Sequence, residues 1–196
     1  EATSAARLSH PGIVQVYDWG PHEDSYYIAM EYVDGLTLAD MLADSQTISI
    51  ERSREIVAAV ADALGYAHAN GTVHRDIKPD NIMLTSGQAI VMDFGIARAV
   101  GAAGGEQLTQ TGLALGTPAY MSPEQSAGED VDGRGDIYAL GCVLYEMLAG
   151  EQPYTGNTPS AIMAKRLSTP IPDVRVVRET VPDHVEAALR SAMAKA

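Results

Sequence analysis

Residues 136–149 read Asp-Ile-Tyr-Ala-Leu-Gly-Cys-Val-Leu-Tyr-Glu-Met-Leu-Ala, apolar on nearly every side of a helical projection, and Gly150 follows at once. A helix that is hydrophobic all round cannot lie on a surface, so the spacing predicts a buried central helix that other elements must surround. A glycine just past the end supplies a left-handed stop. The chain has the material for that arrangement, since 196 residues with 46% apolar content suit one domain with a sizeable core.

The rest of the pattern divides unevenly. Residues 13–19 and 26–33 are β-like runs, with an expected Gly-Pro turn between them at Gly20 and Pro21. Helical periodicity then takes over: Ile56, Val57, Val60, Ala61, Leu64 and Ala67 share one face and stop before Asn70-Gly71. Apolar runs at 82–84 and 90–92 predict a small hairpin about Ser86-Gly87. Thr158 and Pro159 form an N-cap and first-turn proline for a helix reaching about Leu167. Val185, Ala188, Leu189, Ala192 and Met193 mark a last helix, with Asp183 as its expected N-cap. Residues 101–105 read as a flexible loop, because no strand-to-helix context makes them a phosphate cradle. No internal repeat is visible. Few strands and many helices result.

Composition narrows the partners. Lys+Arg 13 against Asp+Glu 26 leaves a net charge of −13. Nucleic acid and anionic membrane surfaces both want a basic face, so neither is expected as the main partner. The acidity suits basic substrates and serves solubility equally well. The single cysteine, Cys142, sits inside the central apolar run, which rules out a disulfide scaffold and suggests a reducing, cytoplasmic compartment. It reads as a small buried apolar side chain rather than a reactive thiol. The longest apolar stretches are too short or too interrupted to cross a bilayer, and no signal peptide opens the chain. His68, His74 and Cys142 have no metal-ligand spacing, and His68 reads as a packed or hydrogen-bonded helical residue. Tyr17 and Trp19 alternate along a strand and read as packing, while Arg52 and Arg54 read as a solvated helix start.

The chemistry is concentrated in His74-Arg75-Asp76-Ile77-Lys78-Pro79-Asp80-Asn81, followed by Asp93-Phe94-Gly95. Seven fixed positions at roughly 5% each coincide by chance about once in 10⁹ registers. Phosphoryl transfer needs positioning and charge neutralisation more than covalent chemistry. Asp76 is placed to accept the proton of a substrate hydroxyl. Asn81 and Asp93 are oxygen donors from two neighbouring loops, suited to Mg²⁺ ions that bridge nucleotide phosphates, with Mn²⁺ as an alternative. Lys78, two residues beyond the base, can reach the transferring phosphoryl as a point charge.

These motifs resemble the protein kinase family, and the resemblance extends over the whole chain. It implies a two-lobed α+β fold with a partial β N-terminal lobe and hinge, residues 1–33, and a mainly helical C-terminal lobe, residues 34–196. His10-Pro11 and residues 13–17 look like the family's connection from the helix of its smaller lobe to the strand that follows it. Met30-Glu31-Tyr32-Val33 resembles the hinge, with Met30 as gatekeeper and the Glu31 and Val33 backbone offered to adenine. Asp40 is similar to the residue that meets the ribose, and Met83 to the apolar side chain beneath the adenine ring. Glu1 fits the helix glutamate that pairs with an ATP-binding lysine. Ser122-Pro123-Glu124 stands where the family has Ala-Pro-Glu, and Asp136 with Gly141 fits its buried-helix motif. Lys78 and Thr117 match Ser/Thr enzymes rather than tyrosine kinases. The stretches 108–111 and 116–120 look most like bacterial members.

The resemblance also carries expectations about regulation and completeness. Arg75 beside the catalytic aspartate resembles kinases whose activation loop is ordered by a phosphate, which makes Thr109 and Thr111 expected autophosphorylation sites, reached through dimerisation. ATP and protein substrates are the implied partners. The Gly-rich loop and ATP-binding lysine of the family do not occur in these residues, because the first lysine is Lys78. Both ends read as truncations, and the segment alone is expected to fold poorly and transfer little phosphate. An active kinase with more chain upstream is the first reading, and a pseudokinase or scaffold module is the alternative. Any membrane contact is expected through an anchor outside this segment.

Overall fold

The structure, a computed structural model, describes residues 8–23, 25–45, 47–94 and 118–194. In chain order the strands and helices are β1 (Val16–His22), β2 (Ser25–Met30), β3 (Leu36–Thr37), α1 (Leu38–Ser45), α2 (Ile50–Ala69), β4 (Ile82–Leu84), β5 (Ala89–Val91), α3 (Pro123–Ala127), α4 (Gly133–Ala149), α5 (Pro159–Ser168), α6 (Val174–Val177) and α7 (Asp183–Ala192). A 3₁₀ turn, Pro79–Asn81, leads directly into β4. Two small antiparallel sheets beside a mainly helical remainder agree with the α+β class that the resemblance implied.

Helix α4 is the predicted central helix. It starts three residues early, because the Asp132 carboxylate caps it by accepting from the Arg134 N–H (2.9 Å), and it ends at Gly150 with φ 80°. Tyr138, Leu140, Cys142, Val143, Tyr145, Met147 and Leu148 are all buried, and in its second half Leu144, Glu146 and Ala149 are only partly exposed. Burial also pushes the Cys142 thiol up to about 12, which leaves it protonated and unreactive. Helix α2 packs along one side of α4 and α7 along another. Gly141 permits the second contact, since a Cβ there would stand 2.8 Å from the Met193 Cγ.

Helix α2 follows its sequence signals. The Ser49 side chain caps it by accepting from the Arg52 N–H, and Asn70 with Gly71 (φ 72°) ends it. Ile56, Val60, Leu64 and Ala67 are fully buried against β5 and α4, while Val57 and Ala61 flank them half-buried. Helix α5 begins as predicted, with the Thr158 hydroxyl accepting from the Ala161 N–H. At α7 the cap differs from expectation. Pro182 occupies the cap position, and Asp183 is the first helical residue, its carboxylate drawn to Arg175. A carboxylate in the first turn is still favoured by the helix dipole, so the change costs little.

The strands form two antiparallel sheets, β1-β2 and β3-β4-β5. The second contains the predicted hairpin, with Gly87 at φ 107° in its turn. The first corrects the Gly-Pro reading. Gly20 and Pro21 lie inside β1, opposite Tyr27 and Tyr26, and the chain reverses after His22, with Glu23 at φ 52°. In a two-stranded sheet each strand has an edge without ladder bonds, where a proline loses nothing by lacking an N–H. The Tyr27 ring covers the Gly20 backbone at 3.3 Å from where a Cβ would stand. Tyr17 and Trp19, expected to pack, are 68% and 37% exposed, because among the described residues nothing lies over that face of the hairpin. Residues 12–14 tie this region to the second sheet: Val14 N–H donates to Val91 O (3.0 Å) and Val91 N–H to Gly12 O (2.8 Å).

Candidate active site

The site is built outward from a buried carboxylate. Asp136, in the first turn of α4, is 1% exposed. Its Oδ1 accepts from the Arg75 N–H (2.7 Å), and its Oδ2 from the His74 N–H (2.8 Å) and from His68 Nε2 (2.7 Å). His68 comes from the last turn of α2, so one carboxylate joins both long helices to the loop that carries the motif. The hydrogen-bonded reading of His68 is borne out.

Arg75 has φ 69°, in the left-handed region that a residue with a Cβ rarely occupies. Both of its peptide groups are held there. Asp136 takes its N–H, and its carbonyl accepts from Gln125 Nε2 (2.9 Å) on α3. A conformation of this kind persists only where the surroundings over-determine it. Asp76 follows immediately, so the strain aims the candidate base.

His74 connects that loop to the second one. Its Nδ1 accepts from the Asp76 N–H (3.2 Å), and its Nε2 faces the Met92 carbonyl at 2.7 Å and must donate to it. The ring is therefore neutral, with its proton on Nε2. Burial pushes its pKa down, against the opposing pull of Asp136. Buried Phe94 sets its ring edge-on against His74, with centroids 4.6 Å apart. Met92 N–H donates to Asn81 O (2.9 Å), and Asp93 then takes φ 62°.

The sign of a pH effect follows. A histidine whose folded pKa lies below its unfolded value stabilises the fold fully above about pH 6.5, and that contribution is lost as pH falls toward the folded pKa. Urea melts between pH 7.5 and 5.5 should lose up to about 1.4 kcal/mol per pH unit below 6.5 from this one proton. A His74→Asn variant should lack that slope. An undiminished slope in the variant would assign it to another group.

The motif side chains themselves converge on Asp76. Its Oδ2 receives Lys78 Nζ at 2.9 Å and Asn81 Nδ2 at 3.2 Å, and Asn81 Nδ2 also donates to Asp76 O (2.8 Å). The 3₁₀ turn, opened by Pro79, brings Asn81 back over Asp76, with Asn81 N–H donating to Lys78 O. Because the amide nitrogen of Asn81 is committed, its Oδ1 is the atom left for a cation. No group of three His, Cys, Asp or Glu side chains among the described residues is placed to hold a metal. A cation that takes only one or two protein oxygens beside substrate phosphates needs no such group. Asn81 Oδ1 and the exposed Asp93 carboxylate are suitable donors.

The expected nucleotide residues are more dispersed. Met30 closes β2 opposite Val16, and the Glu31 N–H is taken by Gln15 O (2.8 Å). Val33 is half-buried. Met83 pairs with Thr37 across β3-β4. Asp40 has a local partner that the sequence reading did not identify. Its carboxylate accepts from the Thr37 N–H (3.0 Å) and hydroxyl (2.6 Å), while its own N–H donates back to the Thr37 hydroxyl (3.0 Å). This reciprocal cap starts α1, and those hydrogen bonds hold the Asp40 carboxyl below its usual range. Glu1, Thr109, Thr111 and Thr117 lie outside the described residues.

Three contributors escaped the sequence reading. Gln125 reaches Arg75 across 50 positions. The Tyr120 hydroxyl donates to Glu146 (2.6 Å), whose carboxyl is pushed up by burial. Arg166 is wholly buried on α5. The signal for Arg166 was present, since a lone arginine stood where helical spacing from Ile162 placed an inward position.

Comparison with known proteins agrees with this geometry. Residues 1–193 match the family described as protein kinase domain. The chain is 46% identical over 201 residues to serine/threonine-protein kinase PknB of Mycolicibacterium smegmatis, which covers 100% of this chain and 32% of that protein. It is 40% identical to serine/threonine-protein kinase PrkC of Bacillus subtilis, across 100% of this chain and 30% of that one. The chain thus spans about a third of the length of these curated relatives. Among solved structures, the PknI kinase domain of Mycobacterium tuberculosis superposes with a TM-score of 0.75 at 35% identity, covering 99% of this chain and 68% of that one. With the fold, the loop pair around Asp76 and Asp93, and a match over nearly all its residues in agreement, the chain belongs to the protein kinase domain family.

Proposed function

We propose that the protein containing this domain transfers the γ-phosphoryl group of ATP to serine and threonine hydroxyls of proteins. The observation that carries the reading is the Asp76 carboxylate, held between Lys78 Nζ and Asn81 Nδ2 on a loop fixed to the Asp93 segment through Met92. In this reading Asp76 orients the substrate hydroxyl and receives its proton as the bond to phosphorus forms. Lys78, now paired with Asp76, turns its charge toward the transferring phosphoryl when ATP is bound. Asn81 Oδ1 and Asp93 hold Mg²⁺, or Mn²⁺ in its place, which when bound neutralises phosphate charge. Met30, the Glu31 and Val33 backbone, Asp40 and Met83 form the adenosine side of the cleft, and Glu1 is the glutamate that pairs with the family's ATP-binding lysine. Residues 1–33 then belong to the smaller lobe and hinge, and 34–196 to the larger.

Thr109 and Thr111 are autophosphorylated in a transient dimer, and Arg75 receives the phosphate. Thr117 borders the hydroxyl substrate. The domain works in the cytoplasm, where ATP is supplied, and any anchor belongs to other parts of the protein. No described helix is long and apolar enough to cross a membrane.

The test is transfer from labelled ATP, with Mg²⁺, by the intact protein to matched peptides containing Ser, Thr or Tyr, followed by mapping of its own phosphosites. Label on the Ser and Thr peptides, and on Thr109 or Thr111, is the expected result. Nucleotide binding without transfer to any hydroxyl would overturn the reading.

A further inference from the structure

Arg166 is the largest fully buried side chain of the described residues, at 0% exposure. Among those residues no carboxylate lies within ion-pair distance of it. Its partners are neutral: Nη1 donates to the Ser126 hydroxyl (3.0 Å), and Nη2 to the Pro118 (2.5 Å) and Ala119 (2.8 Å) carbonyls. The Tyr154 ring covers the guanidinium, 5.8 Å from centroid to Cζ, and the Tyr138 phenol faces it. Taking a guanidinium out of water is costly unless fixed dipoles replace the water, and an apolar side chain would fill the same volume without that cost. Beside these two rings, the oxygens at Pro118, Ala119 and Ser126 that accept from the guanidinium all lie on one stretch, residues 118–126.

That stretch is bound at two further points. The Tyr120 hydroxyl is held by Glu146 on α4, and Gln125 Nε2 holds the carbonyl of Arg75, the residue before the candidate base. Arg166 therefore grips both ends of a segment whose middle is attached to α4 and whose last turn is docked on the catalytic loop. Through Gln125 this docked backbone meets the carbonyl of the residue before Asp76, so it borders the place where a hydroxyl-bearing peptide would be presented.

We propose that Arg166 is a positioning residue for the hydroxyl-bearing substrate, acting through residues 118–126 on the peptide side of Asp76 and leaving the nucleotide side untouched. The proposal rests on the kinase reading above. A purely structural role would lower melting temperature and activity together. A positioning role separates the peptide from the nucleotide.

The experiment uses the intact protein, a synthetic peptide of residues 105–115, and the variants Arg166→Lys, Arg166→Met and Gln125→Ala. The peptide KM should rise about tenfold in Arg166→Met and less in Arg166→Lys, which keeps the charge, while the ATP KM stays within about twofold. Gln125→Ala should raise the peptide KM while the melting temperature falls only slightly, since a single part-buried hydrogen bond is lost. Combining it with Arg166→Met should add little, because both act through one segment. An unchanged peptide KM, a parallel rise in both KM values, or additive effects would overturn the proposal. Should Arg166→Met not fold, Arg166→Lys and Gln125→Ala decide the matter by the same criteria. Peptide affinity measured by fluorescence anisotropy reads the same separation without turnover. An inactive wild type would thus remove the kinase reading while the affinities still judged Arg166.

Discussion

Replacing Asp76 with asparagine in the intact protein is expected to lower the rate of phosphoryl transfer by about 10²–10⁴, the contribution typical of a positioned general base. The side chain keeps its shape, and its remaining oxygen can still accept from Lys78 and Asn81, now 2.9 Å and 3.2 Å from Oδ2. The melting temperature and the ATP KM should therefore hardly move. Single-turnover transfer, with calorimetric melting beside it, separates the two quantities. A variant that retains a third of the wild-type rate would show that Asp76 is not the base and would leave its contacts a purely local role.

A larger structural loss is expected from Asp136→Ala. The substitution leaves three donors without an acceptor: the buried His74 N–H and the part-buried Arg75 N–H and His68 ring. Breaking a buried charged network of this kind costs about 3–5 kcal/mol, and each kcal/mol shifts melting by about 2–4 °C at this domain size. Activity per folded molecule should fall as well, because the left-handed Arg75 loses the partner on its N-terminal side and Asp76 is no longer aimed. His68→Ala should be milder, since it removes one donor and orphans no buried N–H. Urea melts of the three proteins give the ranking. An Asp136→Ala variant within about 1 kcal/mol of wild type would remove the carboxylate from its central place in the site.

Much of this was legible in the chain. Continuous apolar spacing gave α4, a serine cap and an Asn-Gly stop gave α2, and a Thr-Pro pair gave α5. The cluster of Asp76, Lys78 and Asn81 was legible because its members lie within six consecutive positions and a proline forces the turn that closes it. Other parts were hidden for physical reasons. Gly20-Pro21 carries the composition of a turn, yet a strand edge tolerates both residues, so composition misplaced the reversal by three positions. Tyr17 and Trp19 alternate as packed residues would, but alternation cannot say whether anything covers the face. Asp183 has the chemistry of a cap, but Arg175 competes for its carboxylate. The contacts of Gln125 with Arg75 and of Arg166 with Pro118 join positions far apart in sequence through single polar side chains, which leave no periodic trace.

The two clasps on Arg75 have a consequence for how the chain reaches its working state. One comes from Asp136, 61 positions away, and the other from Gln125, 50 positions away. Helices form from near neighbours, whereas these clasps require long stretches of chain to close first. A molecule with its helices made but either clasp open has the right residues and the wrong aim. Catalytic competence is in that sense the last property this sequence acquires as it folds, and the first it surrenders.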